Sequence, residues 1–252
     1  MFIDTHCHLT YEYDDSVETV IQRAKNAGVG AMICATANPN DINGALKIAD
    51  SYDNIFVTTG IHPEYTTANP NNYLTDEILN NPNVIGIAEI GLDYHYGTQT
   101  RDAQIKLFES QLEIASKHNM PIAVHTRDAE DDTVAILTNK FHGVMHCFTS
   151  SWDLARIMLD RGFYFSASGI LTFRNSESVR ETFAKIPNDK IVIETDSPYC
   201  APIPYRGKKC EPFMVIETAK VLANIKNLHL DELETILIEN TKALYPKCKG
   251  RL

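Results

Sequence analysis

Eight short apolar runs, rich in β-branched and small residues, alternate along the chain with longer amphipathic stretches. The runs lie at 2–4, 31–35, 55–59, 84–88, 122–124, 144–145, 163–167 and 191–194. Helical periodicity is seen between them at 16–27, 101–117, 133–140, 154–161 and 176–185, and after them near 213–226 and 231–243. Strands that alternate with helices indicate βα units and a parallel sheet.

Eight βα units in 252 residues favour one closed α/β barrel, a TIM-like (β/α)8 fold. An open, doubly wound sheet is the alternative. The chain has no internal repeat and no linker rich in Gly, Pro or Ser, and the Pro-dense stretch 197–212 is interpreted as a long βα loop. We therefore predict a single domain over residues 1–252.

Local signals support these boundaries. Gly28 and Gly162 follow helical patterns, and Pro121 opens the fifth strand. Asp41 and Asp231 are expected to be N-caps.

The net charge of −10 argues against a passive nucleic-acid binder, which would have a basic surface. It does not exclude an enzyme that acts on phosphates, because bound cations supply positive charge locally. The chain has no apolar run long enough to span a bilayer and no signal-peptide pattern, so we expect a cytoplasmic protein without membrane association. The six cysteines show no CxxC spacing and are expected to be free thiols.

The first chemical signal is the pair His6 and His8, which directly follows the first strand. Histidines two residues apart in an extended segment project from one face, so both can bind the same ion. The intervening Cys7 should then point away from the metal, and the same alternation predicts that Cys147, beside His146, points away too.

Further potential ligands occur where other strands end. Together with the first pair they make four imidazoles and two carboxylates: His6, His8, Glu89, His125, His146 and Asp196. The carboxyl ends of barrel strands converge on one opening, where active sites lie. Burying so many ionisable groups without an ion would be costly, so we predict a metal site there.

Six such ligands exceed the need of one tetrahedral ion. A carboxylate between two ions is typical of two-metal nucleases and phosphatases, and Glu89, midway in strand order, is predicted to be that bridge. His6, His8 and Asp196 would complete one ion, and His125 and His146 the other. Mixed nitrogen and oxygen ligation suits Zn, Mn or Fe, and Mg is also compatible.

Several segments also carry a family resemblance. FIDTHCHL, GIHPE, AEIGLDY, VHTRDA, GVMHCF, ASGILTF and ETDSPYCAPIPYRGKKCEP resemble, in order, the motifs of the TatD family of metal-dependent deoxyribonucleases. The similarity extends from Phe2 to the segment ENTKALYP. Ala88 and Cys210 depart from it, because the family often has Gly and Asn there.

The resemblance implies a barrel of the metal-dependent hydrolase type that hydrolyses the phosphodiester bonds of DNA, as an exonuclease on single strands, with two divalent cations (Mg, Mn or Zn). It matches the same six residues to the family's ligand positions. No obligate protein partner is expected.

Other residues are candidates for catalysis and substrate binding. Asp196 is predicted to accept the proton of the attacking water, alongside Glu89 as the bridging carboxylate. His62, in the turn after the third strand, and Arg206 would neutralise charge on the phosphoryl oxygens or the leaving group. Arg127 is a further candidate for holding phosphate, because guanidinium groups match its geometry.

The remaining candidates would support the site. Glu194 is in phase with Asp196 and is expected to contact a ligand from behind. Tyr199 and Tyr205 are candidates for stacking on bases. Asp93 is expected to fix the loop after the fourth strand.

Two other classes of function stay open at this point. The same metal site would suit an amidohydrolase-like enzyme on C–N or carboxyl-ester bonds, including the D-aminoacyl-tRNA esters to which the family has been linked. One observation argues against an amidohydrolase-like enzyme: many amidohydrolases bridge their metals with a modified lysine, whereas Glu89 occupies that position here. A non-catalytic component of a protein-export assembly is the third possibility, and the full ligand set argues against it.

Overall fold

The computed structural model describes residues 1–252 and contains a single sheet of eight parallel strands. The strands are β1 (Phe2–Cys7), β2 (Val29–Thr36), β3 (Ile55–Thr59), β4 (Val84–Asp93), β5 (Ile122–Arg127), β6 (Gly143–Met145), β7 (Tyr164–Ala167) and β8 (Ile191–Ile193). Each strand pairs with the next one in sequence, from β1 to β8. A doubly wound sheet would reverse its strand order, so the barrel prediction is confirmed and the open-sheet alternative is wrong.

The barrel closes where β1 approaches β8, just beyond the carboxyl end of β8. The Asp196 backbone N–H donates to the His6 carbonyl at 2.9 Å, and the His8 N–H donates to the Ser197 carbonyl at 2.8 Å. The closing seam thus brings three of the predicted ligands into one place.

Several strands continue further than the apolar runs predict. β1, β4 and β5 extend to Cys7, Asp93 and Arg127, so that His6, Glu89 and His125 lie within strands and not after them. The predictions that these strands end at or before the ligand residues were wrong. Hydrogen bonding to the neighbouring strand continues the pairing into polar sequence, for example between Gly91 and His125.

Nine helices surround the sheet. They are α1 (Val17–Asn26), α2 (Ile42–Asp50), α3 (Asp76–Leu79), α4 (Arg101–His118), α5 (Glu130–Ile136), α6 (Trp152–Asp160), α7 (Glu177–Lys185), α8 (Val215–Lys226) and α9 (Leu230–Leu244). No helix combines the length and the apolar character needed to cross a bilayer.

Helix starts differ from prediction by one to three residues, and at two of them the structure shows the reason. α5 begins at Glu130 and not at 133, because three acidic residues in its first turn complement the helix dipole. α9 is capped by His229, whose backbone N–H donates to the Glu232 carboxylate in a capping box, so the prediction of Asp231 as the cap was wrong. Asp41 does occupy the N-cap of α2 but makes no side-chain cap hydrogen bond.

Strand alternation divides the core into two layers. Phe2, Met32 and Val57 belong to the large cluster between strands and helices, while Ile3 and Phe56 belong to a smaller cluster that also contains Leu244, Tyr245 and Cys248. The C-terminal segment after α9 therefore packs against the residues on the opposite face of the strands. The Lys247 ammonium donates to the carbonyl of Val84, the first residue of β4, at 3.0 Å, so this segment lies at the amino ends of the strands. The carboxyl ends remain available for a site.

Gly91 in β4 lies directly against the backbone of His125. Its φ is +144°, and a Cβ there would be 1.9 Å from the His125 carbonyl oxygen. We expect Gly91→Ala to lower the free energy of unfolding by about 3 kcal/mol or more, from backbone strain and overpacking together. Urea denaturation measures this. Gly250→Ala, where nothing lies within 4 Å of the new methyl group, should change stability by less than about 0.5 kcal/mol. Equal effects of the two substitutions would contradict the steric argument.

Candidate metal centre and active-site cavity

A cavity of about 590 Å³ opens at the carboxyl ends of the strands. Its wall contains most of the predicted site residues, namely His8, His62, Glu89, Arg127, His125, His146 and Asp196. His6 lies just behind them and is buried. The barrel thus brings together side chains that are separated by up to 190 positions in the sequence (6 to 196).

The Glu89 carboxylate lies at the centre of this cluster. Its Oε2 is 3.6 Å from His6 Nε2 and 3.7 Å from His8 Nε2. Its Oε1 is 2.8 Å from His125 Nδ1 and 3.3 Å from His146 Nε2. The two oxygens of one buried carboxylate therefore face two different pairs of imidazoles.

Asp196 faces the first of these pairs. Its Oδ1 lies 3.4 Å from His8 Nε2. On the other side of the ring, His8 Nδ1 is 3.0 Å from the Ala35 carbonyl, which can only accept a hydrogen bond. In the neutral ring Nδ1 therefore carries the proton, and the Nε2 lone pair is directed towards the carboxylates of Asp196 and Glu89.

This arrangement fits a divalent cation. Lone pairs that face carboxylates repel them unless a positive charge lies between, and imidazole nitrogens with carboxylate oxygens are ligands of Zn²⁺, Mn²⁺ and related ions. The buried His6 Nε2 has no hydrogen-bond partner in the protein, which is a second indication that this nitrogen coordinates a cation.

The electrostatics of the cluster lead to the same requirement. Burial would raise the pKa of Glu89, but the charge of His146 and hydrogen bonds from His125 and His146 hold it well below its usual range. The pKa of Asp196 is likewise lowered, against the effect of burial, by a hydrogen bond from the protonated form of His8. Hydrogen bonds to Asp93 and Glu89 outweigh burial and raise the pKa of His125 to about 9. Two ionised carboxylates thus share a buried site that demands compensating positive charge, as protons or as cations.

A second layer of carboxylates orients the second imidazole pair. Asp93 Oδ2 lies 3.0 Å from His125 Nε2, and Glu194 Oε1 lies 2.9 Å from His146 Nδ1. Carboxylates behind imidazole ligands fix the ring and increase its basicity. Asp93 does fix its loop, since its Oδ1 accepts from the His95 backbone N–H at 2.9 Å. Its contact with His125 was not predicted, because it depends on the continuation of β4 and β5 side by side.

His62 lies on the rim beside the metal-ligand candidates. Its Nε2 is 3.8 Å from Glu89 Oε1. The Glu64 backbone N–H donates to His62 Nδ1 at 3.2 Å, so the ring proton resides on Nε2 and points into the cavity. Burial lowers the pKa of His62, which keeps the ring neutral.

The two candidate arginines occupy different environments. Arg127 lines the cavity, 4.0 Å from Asp93 Oδ2, and its guanidinium lies 5.7 Å from the centre of the Tyr96 ring. Arg206 does not belong to the cavity wall, and its guanidinium lies 3.9 Å from the centre of the Phe173 ring.

Three tyrosines surround the opening. Tyr199 lines the cavity and is 55% exposed, and Tyr96 on the Arg127 side is 85% exposed. Tyr11 stacks on the His8 ring at 4.8 Å. Tyr205, by contrast, packs edge-on against Phe213 and is absent from the wall. Tyr11 and Tyr96 were not predicted; both lie in loops that follow strand ends, which was the only available signal.

The two cysteines beside ligand residues behave differently. Cys7 is buried, and its thiol donates to the Ile33 carbonyl at 3.5 Å, away from the cluster. Cys147 lines the cavity, so the prediction that it points away was wrong. The alternation of a strand does not apply to it, because β6 ends at Met145 and Cys147 has a left-handed φ of +43°.

Known proteins are similar to this chain in sequence and in fold. The model of the family described as TatD related DNase matches residues 3–246. The "uncharacterized metal-dependent hydrolase YabD" of Bacillus subtilis is 37% identical over 97% of this chain and 99% of its own length. The "uncharacterized metal-dependent hydrolase YcfH" of Escherichia coli K12 is 36% identical over 99% of this chain and 97% of its own length.

A solved structure agrees with these relatives. The crystal structure of YjjV, a TatD homologue from Escherichia coli K12, superimposes with a TM-score of 0.89 at 26% identity, covering 97% of this chain and 98% of the other. Family model, relatives and fold thus agree over nearly the whole length. The chain belongs to the TatD-related DNase family of hydrolases.

Proposed function

We propose that this chain is a metal-dependent deoxyribonuclease that removes nucleotides from an end of single-stranded DNA, using two divalent cations. The observation that carries the proposal is the position of Glu89, whose two oxygens face separate imidazole pairs at 2.8–3.7 Å. A carboxylate that bridges two ions is the usual arrangement in hydrolysis of phosphodiesters by two metals.

His6, His8 and Asp196 would hold one cation and His125 and His146 the other, with Glu89 shared between them. Bound there, divalent cations would polarise a phosphoryl oxygen and lower the pKa of a water molecule. The ligand set is compatible with Mg, Mn or Zn.

The protein's own groups have distinct tasks in this scheme. Asp196 is ionised and faces the cavity, so it can accept the proton of the attacking water and hold that water in line. His62 directs its Nε2–H into the cavity, where it would donate to a phosphoryl oxygen or to the leaving group. Arg127 would pair with the phosphate at the mouth.

The shape of the site favours a chain end as substrate. Glu89, which would lie between the cations, is buried in the cavity wall, so a terminal nucleotide would reach the cations more readily than the middle of a strand. Tyr96 and Tyr199 at the opening offer faces on which unpaired bases would stack, whatever their sequence. Because the net charge of the protein is −10, the bound cations and Arg127 would have to supply the positive charge that attracts the phosphate.

The test is a hydrolysis assay on single-stranded DNA labelled at either end, with Mg²⁺, Mn²⁺ and Zn²⁺ supplied separately to metal-free protein. We expect release of mononucleotides from one end only. D-aminoacyl-tRNA and a dihydropyrimidine are assayed in parallel, and Asp196→Asn reports contaminating nuclease. Hydrolysis of either alternative substrate without cleavage of DNA would overturn the proposal.

Replacing the two candidate arginines should separate their roles. Arg127→Gln should weaken the binding of single-stranded DNA by about tenfold, because a charged contact to phosphate is lost. Arg206→Gln should have a smaller effect, since Arg206 stacks on Phe173 outside the cavity wall. Fluorescence anisotropy with labelled DNA and Ca²⁺ in place of the catalytic cation measures both.

The exposed Arg156 on α6 provides the control for loss of one positive charge, and Arg156→Gln should leave affinity unchanged. A larger loss at Arg206 than at Arg127 would reverse the assignment.

A further inference from the structure

Two cysteines reach the same wall of the cavity. The Cys147 and Cys200 sulfurs and a carboxylate oxygen of Asp196 all lie within 4.8 Å of one another. Both thiols belong to partly exposed residues that line the cavity, whereas the other four cysteines are buried. The pair is therefore accessible to a small ion, and it is not used by the proposed hydrolysis.

The backbone holds the two cysteines in place. Both adopt left-handed conformations, with φ of +43° for Cys147 and +54° for Cys200. The Cys147 N–H donates to Glu194 at 2.8 Å. The Cys200 carbonyl packs so closely on Gly169 that a Cβ there would be 1.9 Å away. The sulfurs are thus brought together by two separate loops, after β6 and after β8.

Asp196 lies between this pair and the imidazole cluster. Its Oδ1 is 3.4 Å from His8 Nε2, while its Oδ2 is 3.6 Å from the Cys200 sulfur. One carboxylate can therefore serve either group of ligands, and a cation at the thiols would compete for it.

We propose that Cys147, Cys200 and Asp196 form a separate binding site for a soft divalent cation, Zn²⁺ or Cd²⁺, here called the thiol site. On binding, each thiol releases one proton to solvent and forms a sulfur–metal bond, the carboxylate supplies the third ligand, and water fills the fourth position. Thiolates select soft cations over Mg²⁺, so the thiol site differs in preference from the imidazole cluster.

The consequence for activity rests on the proposed function. Asp196 is the proposed proton acceptor. When its carboxylate binds a cation at the thiol site, that carboxylate is a weaker base towards the attacking water. Zn²⁺ or Cd²⁺ in excess therefore inhibits the enzyme when it works with Mg²⁺ or Mn²⁺, and loss of the thiols relieves that inhibition.

The experiment titrates Cd²⁺ into the intact 252-residue chain saturated with Mg²⁺ and follows the sulfur-to-cadmium charge-transfer absorption. The wild-type protein should show this band with one equivalent of thiol-bound Cd²⁺. Cys200→Ala should weaken this binding at least about tenfold, since loss of even an outer contact to a metal ligand has an effect of that size. The matched control is Cys210→Ala, which removes a buried thiol from the same loop and should bind Cd²⁺ as the wild type does.

Absence of the band, or the same band and affinity in Cys200→Ala, overturns the thiol site. Thermal melts of both variants establish that they are folded. The binding measurement does not depend on turnover, so a thiol site in a protein without nuclease activity would refute the proposed function alone. With activity present, Cys200→Ala should resist Cd²⁺ inhibition, and equal inhibition of variant and wild type would refute the regulatory consequence.

Discussion

Glu89→Gln is expected to abolish tight binding of both cations and to reduce nuclease activity by at least about 10²- to 10³-fold. Glutamine keeps the size of the side chain but removes the charge between the two imidazole pairs. Its neutral amide would present an NH2 group to one pair, where a cation would need an oxygen ligand. Metal analysis of the purified variant and the DNA assay measure the two effects.

Glu64→Gln is the matched control, because Glu64 lines the same cavity but belongs to none of the clusters of metal-capable side chains. It should retain both cations. An active Glu89→Gln enzyme with normal metal content would exclude the bridging role.

Removal of the metals should affect both activity and stability. Chelation is expected to eliminate activity and to lower the thermal midpoint, because a cation that binds only the folded chain stabilises it by about 2.7 kcal/mol at a hundredfold excess over Kd. For a chain of this size that corresponds to a shift of roughly 5–10 °C for each site. Calorimetry of chelator-treated protein with and without Mn²⁺ gives the shift.

Variants distinguish a protein that binds one cation from a protein that binds two. Isothermal titration with Mn²⁺ should give two equivalents for the wild type, about one for His125→Asn, and none that bind tightly for Glu89→Gln. A midpoint unaffected by chelation, or a wild type with one equivalent, would require a different arrangement of ligands.

Much of this fold was predictable, because each local pattern is governed by short-range physics. Apolar β-rich runs alternating with helical periodicity predicted eight strands, and their number and spacing predicted closure. Prediction failed where pairing between strands overrides local polarity. β4 continues through Glu89 to Asp93 because β5 lies beside it. The local sequence after Glu89 does not by itself predict that the strand continues.

The candidate site was predicted to a similar degree. Imidazoles and carboxylates at strand ends can be recognised in the sequence as potential metal ligands, and the carboxyl ends of the strands converge in a parallel barrel. The directions of the side chains could not be predicted in this way. Asp93 behind His125, the proton on His62 Nε2 and the thiol of Cys147 in the cavity all depend on backbone turns beyond the strands.

From the sequence alone, the alternation of strands and helices determined the barrel, and the imidazoles and carboxylates at strand ends determined that a metal site should lie at its opening. Only the tertiary structure decided which oxygen of Glu89 faces which imidazole pair, that Arg127 and not Arg206 lines the cavity, and that two cysteines 53 positions apart (147 to 200) meet beside Asp196. The reason is physical: strand and helix periods act over a few residues, whereas side-chain direction at a strand end depends on distant segments that pack against it.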